Sequence, residues 1–267
     1  MAERVRIDRQ HGIADVRLNR PEKLNALDPA MFDALIAAGE SLAGDTSLRA
    51  VVLSGEGRAF CAGLDLASFM AMAGERDPTS VLRARHGDGP ANVAQRAAWV
   101  WTDVPVPVIA AVHGVAYGGG LQIALGADIR LAAPDAQLSV MEIHWGLIPD
   151  MSGTQALRHL LRLDVAKELT FTGRIVSGCE AAELGLVTRV ADAPHAAALA
   201  LAREIAGRSP DAIRAAKRLL NQAPLVGVAE GLRLEERSQR GLLGSANQIE
   251  AVRANLAKRT PAFCDPV

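Results

Sequence analysis

The stretch IAAVHGVAYGGGLQIALGADIR, residues 109–130, decides how this chain folds. It begins inside an apolar run, Val106–Val112 (VPVIAAV), which reads as a buried strand introduced by Pro105 and Pro107. Gly118-Gly119-Gly120 follows, and Leu121–Gly126 is predicted to be a helix. Three successive glycines at a helix start cost about 1 kcal/mol each relative to alanine. Tolerating that cost points to a need for close approach of the backbone, and exposed N–H groups at a helix start favour negative charge. The run is therefore expected to stabilise negative charge on a bound substrate, the behaviour of an enzyme. The alternative is a glycine turn that only lets helix and strand pack closely.

A second loop has the same build. Ala50–Leu53 (AVVL) reads as a buried strand with Ser54–Gly57 as its turn, and Arg58–Leu66 (RAFCAGLDL) follows. Two glycine-bearing loops, each after a buried strand, can aim one N–H apiece at a single oxygen. Such a pair is an oxyanion hole, in which each donor lowers a barrier by about 2.7–4 kcal/mol.

Further out, Ile13–Leu18 (IADVRL) is strand-like and ends at Asn19-Arg20-Pro21. Asp28-Pro29 then reads as N-cap and first position of a helix running to about Ala43. Strands alternating with helices predict a mixed α/β core. Ala73–Gly89 is polar and glycine-punctuated, and reads as a surface segment near the substrate entrance or a plain connecting loop. From about Pro194 helices take over: Ala196–Ile205, a capped start at Ser209-Pro210 with apolar Ile213, Ala216 and Leu220, then Leu225–Leu243 and Ala246–Leu256. Their apolar faces suggest either an oligomer interface or packing back on their own core. The expected division is a core with the site over residues 1–195 and a helical oligomerisation region over 196–267.

Lysine and arginine number 29 against 30 aspartates and glutamates, a net charge of −1. With no long basic block, neither nucleic acid nor an anionic membrane is expected as a partner. The first ten residues, MAERVRIDRQ, hold no apolar core of the secretory kind, and no stretch reaches the roughly 18 apolar residues of a spanning helix. Three widely spaced cysteines (Cys61, Cys179, Cys264) suggest neither a disulfide framework nor a zinc site. A cytoplasmic protein without a metal is expected.

Residues 109–130 resemble the signature of the crotonase, or enoyl-CoA hydratase/isomerase, superfamily. The superfamily's other blocks follow in order: LNRPEKLNAL (18–27), GRAFCAGLDL (57–66), MEIHWGLIPDMSGTQ (141–155) and LTFTGRIVSGCEAAELGLV (169–187). The resemblance implies an α/β fold, a crotonase-like spiral of ββα units, with carboxy-terminal helices that build a homotrimer, often paired into a hexamer. It implies an acyl-CoA thioester as substrate, with coenzyme A arriving as part of it and no separate cofactor. The enolate-holding N–H groups fall on Leu64 and Gly119, with Gly118 beside them. Contacts to coenzyme A fall on Lys23, Leu24 and Ala26, on the loop Ala62, Gly63, Asp65 and Leu66, and on Lys258, which would reach a phosphate.

Hydratases of this superfamily position water with two glutamates. The first lies two residues after the glycine run, where this chain has Gln122, and the second matches Glu142. Glutamine can orient water or a thioester but cannot accept and return a proton near neutral pH. Glu142 lies in the otherwise apolar stretch Leu138–Ile148, where desolvation raises a carboxyl towards a useful acid/base range. One carboxylate suffices for a 1,3-proton shift, the arrangement of Δ3,Δ2-enoyl-CoA isomerases. Asp150 stands eight residues after Glu142, as in dienoyl-CoA isomerases, and reads as a second acid or as the N-cap of a helix through Leu161. His144 is weighed as a catalytic group and His113 as a structural one. Isomerisation fits these residues better than hydration, and a non-catalytic acyl-CoA binding protein is the alternative of another class.

Overall fold

The computed structural model describes residues 3–65, 67, 68, 70, 85 and 89–266. The expected surface segment Ala73–Gly89 lies, apart from Arg85 and Gly89, outside the described residues.

The apolar runs form the centre of a six-stranded sheet. Its strands are β1 (Val5–Gln10), β2 (Ile13–Leu18), β3 (Ala50–Gly55), β4 (Val108–Val112), β6 (Ile129–Ala132) and β9 (Arg189–Val190), side by side in that order. β1 and β2 pair antiparallel, and every later pair is parallel. Both faces of the central strands are covered, which is why β3 and β4 read as continuous apolar runs rather than as alternating ones. Val51, Leu53, Val108, Ala110 and Val112 face one core, shared with α1 (Pro29–Ala43) and α2 (Val93–Asp103). Ala50, Val52, Ile109 and Ala111 face the other, against Ala198 and Ala202 of a later helix, Pro194–Ala206.

Strand β2 and helix α1 match their expected bounds. Asp28 Oδ1 accepts from Met31 N at 2.8 Å, the bond that an N-cap carboxylate makes. The glycine run is part of its helix: α3 spans Gly119–Leu125, two residues earlier than read from the sequence.

A second, smaller layer runs beside the sheet. β5 (Val115–Tyr117), β7 (Gln137–Ser139) and β8 (Val176–Ser177) form a three-stranded sheet. Two single-residue parallel bridges, Cys61 to Ala116 and Leu27 to Leu64, extend the layer through the loops after β3 and β2. The chain therefore visits the large sheet, then the small layer, then a helix, and repeats, which is a spiral. The fold is the expected α/β spiral.

Helices α4 (Gly153–Leu160), α5 (Leu163–Thr172) and α6 (Gly178–Leu184) follow. Next come α7 (Pro194–Ala206), α8 (Pro210–Gln222), α9 (Val228–Leu242) and α10 (Ala246–Leu256). α7, which crosses the expected division at residue 195, seals the outer face of the sheet. α8 is tied down by Lys217, whose buried ammonium lies 2.7 Å from Asp128 and donates to the carbonyls of Trp101 and Val106. Ser209 stands at the N-cap position of α8, yet its side chain makes no capping bond, contrary to the capped start expected there. Among the described residues no helix is long and apolar enough to cross a membrane.

Candidate active site

The two glycine loops meet because the small layer straps them together. Cys61 N donates to Val115 O at 3.0 Å and Tyr117 N returns a bond to Cys61 O at 3.1 Å. On its other side the same segment receives Leu27 N on Gly63 O at 2.8 Å, and Asp65 N donates to Leu27 O at 2.9 Å. Such a ladder turns the intervening Leu64 N–H away from Leu27. Neither Leu64 N–H nor Gly119 N–H donates to another group among the described residues. The close approach expected of the glycines is real at Gly120, where a Cβ would lie 2.3 Å from Cys61 O. A Cβ on Gly63 would lie 3.7 Å from Gly119 N, so the two donor loops are in contact.

Glu142 sits on a short 3-10 turn, Met141–Trp145, and is buried at 9% exposure. Its carboxyl lies over Gly118: a Cβ there would meet Oε1 at 3.3 Å, and the φ of +50° at Gly118 suits glycine. Burial pushes the Glu142 carboxyl above the usual carboxylate range, helped by the charge of Asp150 and opposed by hydrogen bonds from its own backbone and Gln122. Gln122, 2% exposed, donates from Nε2 to Glu142 Oε1 at 2.6 Å, while Glu142 Oε2 is buried with no partner. The amide oxygen of Gln122 accepts from Met151 N at 2.8 Å and Gly153 N at 2.9 Å.

Those last two bonds overturn the capping alternative for Asp150. The helix starts at Gly153 with Ser152 at its N-cap, and Ser152 is left-handed and makes no side-chain cap. Gln122, twenty-nine residues upstream of Met151, supplies the acceptor that Asp150 was expected to supply. Asp150 itself is exposed, and the protein beneath it still raises its carboxyl above the usual range. His144 turns to Thr172 O, with Nε2 3.2 Å away, which gives it a structural contact rather than a place at the carboxylates. His113 is likewise structural, its Nε2 3.0 Å from Gly57 O.

The residues assigned to coenzyme A fall in three places. Lys23 is exposed at the end of the turn Pro21–Lys23, and Leu24 and Ala26 follow it into the small layer. Ala62, Gly63 and Asp65 bracket the Leu64 N–H, and Leu66 lies outside the described residues. Asp65 has a side-chain task of its own. Its Oδ2 pairs with the Arg20 guanidinium at 2.7 Å and its Oδ1 accepts from Ala67 N at 2.8 Å. Burial works to raise this carboxyl, but Arg20 and the backbone donors outweigh it and hold the group below the usual range. Lys258 is exposed after α10, its N–H bonded to Asn255 O, and no described contact joins it to the loops.

Two supports were missed from sequence. Arg20 ties Ala26 O (3.0 Å) to Asp65, and so grips both segments flanking Leu64. Asn25, fully buried, accepts from Arg20 N and donates to the carbonyls of Glu56 and Ala59 at 2.9 and 2.8 Å. The available signal was a polar residue inside the run LNAL, where burial obliges a hydrogen-bonded role.

The sequence pattern of enoyl-CoA hydratase/isomerase matches residues 8–266. The enoyl-CoA hydratase domain-containing protein 2 of mouse mitochondria is 36% identical over 259 residues, covering 94% of this chain and 84% of its own. Mouse mitochondrial methylglutaconyl-CoA hydratase is 34% identical over 263 residues, covering 96% and 81%. Among solved structures, an enoyl-CoA hydratase from Bacillus anthracis superposes with a TM-score of 0.87 at 32% identity, covering 97% of this chain and 98% of that one. One from Polaromonas sp. JS666 gives 0.88 at 31%, covering 97% and 99%. The chain belongs to the enoyl-CoA hydratase/isomerase family, within the crotonase superfamily, and is an enzyme of it.

Proposed function

We propose that this enzyme isomerises an enoyl-CoA thioester by a proton shift on a single carboxylate. The observation that carries the reading is Glu142: buried, raised, in contact with the glycine loop, and presenting one oxygen without a partner. In the Glu142 carboxylate form it takes the C2 proton of a 3-enoyl-CoA. The electron pair is shared between the thioester oxygen, where Leu64 N–H and Gly119 N–H receive the charge, and C4 at the far end of the double bond. The resulting carboxylic acid returns the proton to C4, leaving the 2-enoyl thioester. A raised carboxyl suits both steps, since it is a better base than an ordinary glutamate and is less costly to protonate. Asp150, exposed and also raised, is placed in this reading as a second acid for longer dienes. The scheme needs no group beyond the coenzyme A carried by the substrate.

The position that holds the other hydratase carboxylate is occupied here by an amide whose oxygen is already bonded to two N–H groups. That supports proton shuttling over water activation. Hydration is the second reading, favoured by the names of the relatives, several of which are hydratases. In both readings the exposed apolar residues of α8 to α10 form an interface between copies of the chain, as a trimer or hexamer.

Pure protein is incubated with 3-enoyl-CoA, 3,5-dienoyl-CoA and crotonyl-CoA, before and after Glu142→Gln. Conversion of the 3-enoyl substrate that is lost in the variant supports isomerisation. Fast hydration of crotonyl-CoA that survives Glu142→Gln sinks it.

A further inference from the structure

We propose that Gln122 is the positioning residue of this site: its amide aims the Glu142 carboxylate so that Oε2 exchanges the proton, and it anchors the turn that carries Asp150. The inference rests on the reading of Glu142 as the acid/base group.

A terminal amide has two distinct ends, and here the surroundings fix which end faces which way. Gln122 Oε1 spends its acceptor capacity on Met151 N and Gly153 N, at 2.8 and 2.9 Å. A flipped amide would set its NH2 against those two donors and its oxygen against the Glu142 carboxylate, losing all three bonds. The donor end is therefore held on Glu142 Oε1, at 2.6 Å between two buried side chains. That bond occupies one carboxylate oxygen and leaves Oε2 as the orphaned, buried acceptor. A buried polar atom without a partner is costly and so is poised to meet a ligand. The fit is close: a Cβ on Gly153 would lie 2.7 Å from Gln122 Oε1.

The same geometry says why a glutamate does not serve equally at this position. Two carboxylates at this separation cannot both ionise and must share a proton, so they titrate as a pair. Among the described residues the charge acting on Glu142 comes from Asp150, while His144 on the same 3-10 turn is bonded to Thr172 O.

Two variants separate the two ends of the amide. Gln122→Met removes both the donor and the acceptor. Gln122→Glu keeps an acceptor for the two N–H groups but places a second acid against Glu142. The readouts are the pH profile of kcat/KM on the substrate that Glu142 turns over, and hydrogen exchange at Met151 and Gly153.

In Gln122→Met, loss of a hydrogen bond to a charged group should move the acid limb up by about one to two pH units. We expect kcat to fall about tenfold to a hundredfold at neutral pH with little change in KM, and exchange at both amides to quicken. In Gln122→Glu the limb should also rise, with both amides still protected. An acid limb and kcat unmoved in both variants, with only the melting temperature lowered, would overturn the proposal and leave a structural cap. Should Gln122→Met fail to fold, Gln122→Glu decides alone. Undiminished turnover in Glu142→Gln overturns the reading of Glu142 itself. Lost turnover in Glu142→Gln, with an unmoved limb in the Gln122 variants, overturns this inference only.

Discussion

At Gly120, in the layer that carries the site, there is no room for one more methyl group, whereas at Gly241, in the last helices, there is nothing for it to touch. A Cβ on Gly120 would lie 2.3 Å from Cys61 O, and one on Gly241 in α9 meets nothing within 4 Å. Around Glu142, strap bonds and buried amides hold both loops in register. Along α9 no residue is buried, and Val228 is 81% exposed. The first region holds the two glycine loops against each other. The second keeps apolar side chains on an outer face, with α8 anchored to the core through Lys217. Rigidity and availability are thus separated along the chain.

The largest effect that would break this contrast is on turnover. Glu142→Gln should lower the rate about 100- to 10,000-fold, the usual range for removing a general acid/base, measured by stopped assay on 3-enoyl-CoA. A surviving rate would mean that the rigid layer serves binding alone.

Next in size is Gly120→Ala, expected to cost about 1–3 kcal/mol in urea unfolding because Cys61 O belongs to backbone and cannot swing aside. A neutral result would show the strap to be looser than its distances imply.

The pH dependence of stability sharpens the contrast further. The Glu142 carboxyl is raised in the fold, so the folded state binds its proton more tightly than the unfolded chain. Its contribution to stability is then full below the unfolded value of about 4.3 and is lost as pH rises through the folded one. Glu142→Gln, which keeps an oxygen for the Gln122 amide, should therefore melt above the wild type at pH 8. The two curves should converge below about pH 4.

On the other side, Val228→Glu should leave the fold within about 0.5 kcal/mol, as an exposed site allows. It should reduce the oligomer mass seen by sedimentation if α9 packs between copies. The smallest effect is Gly241→Ala, a glycine in open space in the last turn of α9, which should stabilise by up to about 1 kcal/mol. The same substitution with opposite signs at residues 120 and 241 would be the plainest measure of the difference between the two regions.

Much of this architecture was legible because its signals are local. Asp28-Pro29 marks a helix start by cap chemistry, and the runs at 50–53 and 106–112 read as buried strands because both faces of the sheet are covered. The donor loops were legible for a similar reason, since glycine is costly unless something lies close. What escaped were bonds between residues far apart in sequence. Asp150 looked like an N-cap because the local pattern allows it, yet the acceptor comes from Gln122 through the packing of α3 against α4. Arg20 and Asn25 were hidden in a familiar block for the same reason, their partners lying 31 to 45 residues away.

The order of elements, the two glycine loops, the carboxylate at Glu142 and the amide at Gln122 were determined by the sequence itself. Each depends on a residue's own conformational preference, size or proton chemistry. The tertiary structure decided which oxygen of Glu142 is left unpartnered, that Gln122 rather than Asp150 closes the start of α4, and that the two glycine loops lie against each other. Those are facts of distance and direction across the spiral, and no local preference encodes them.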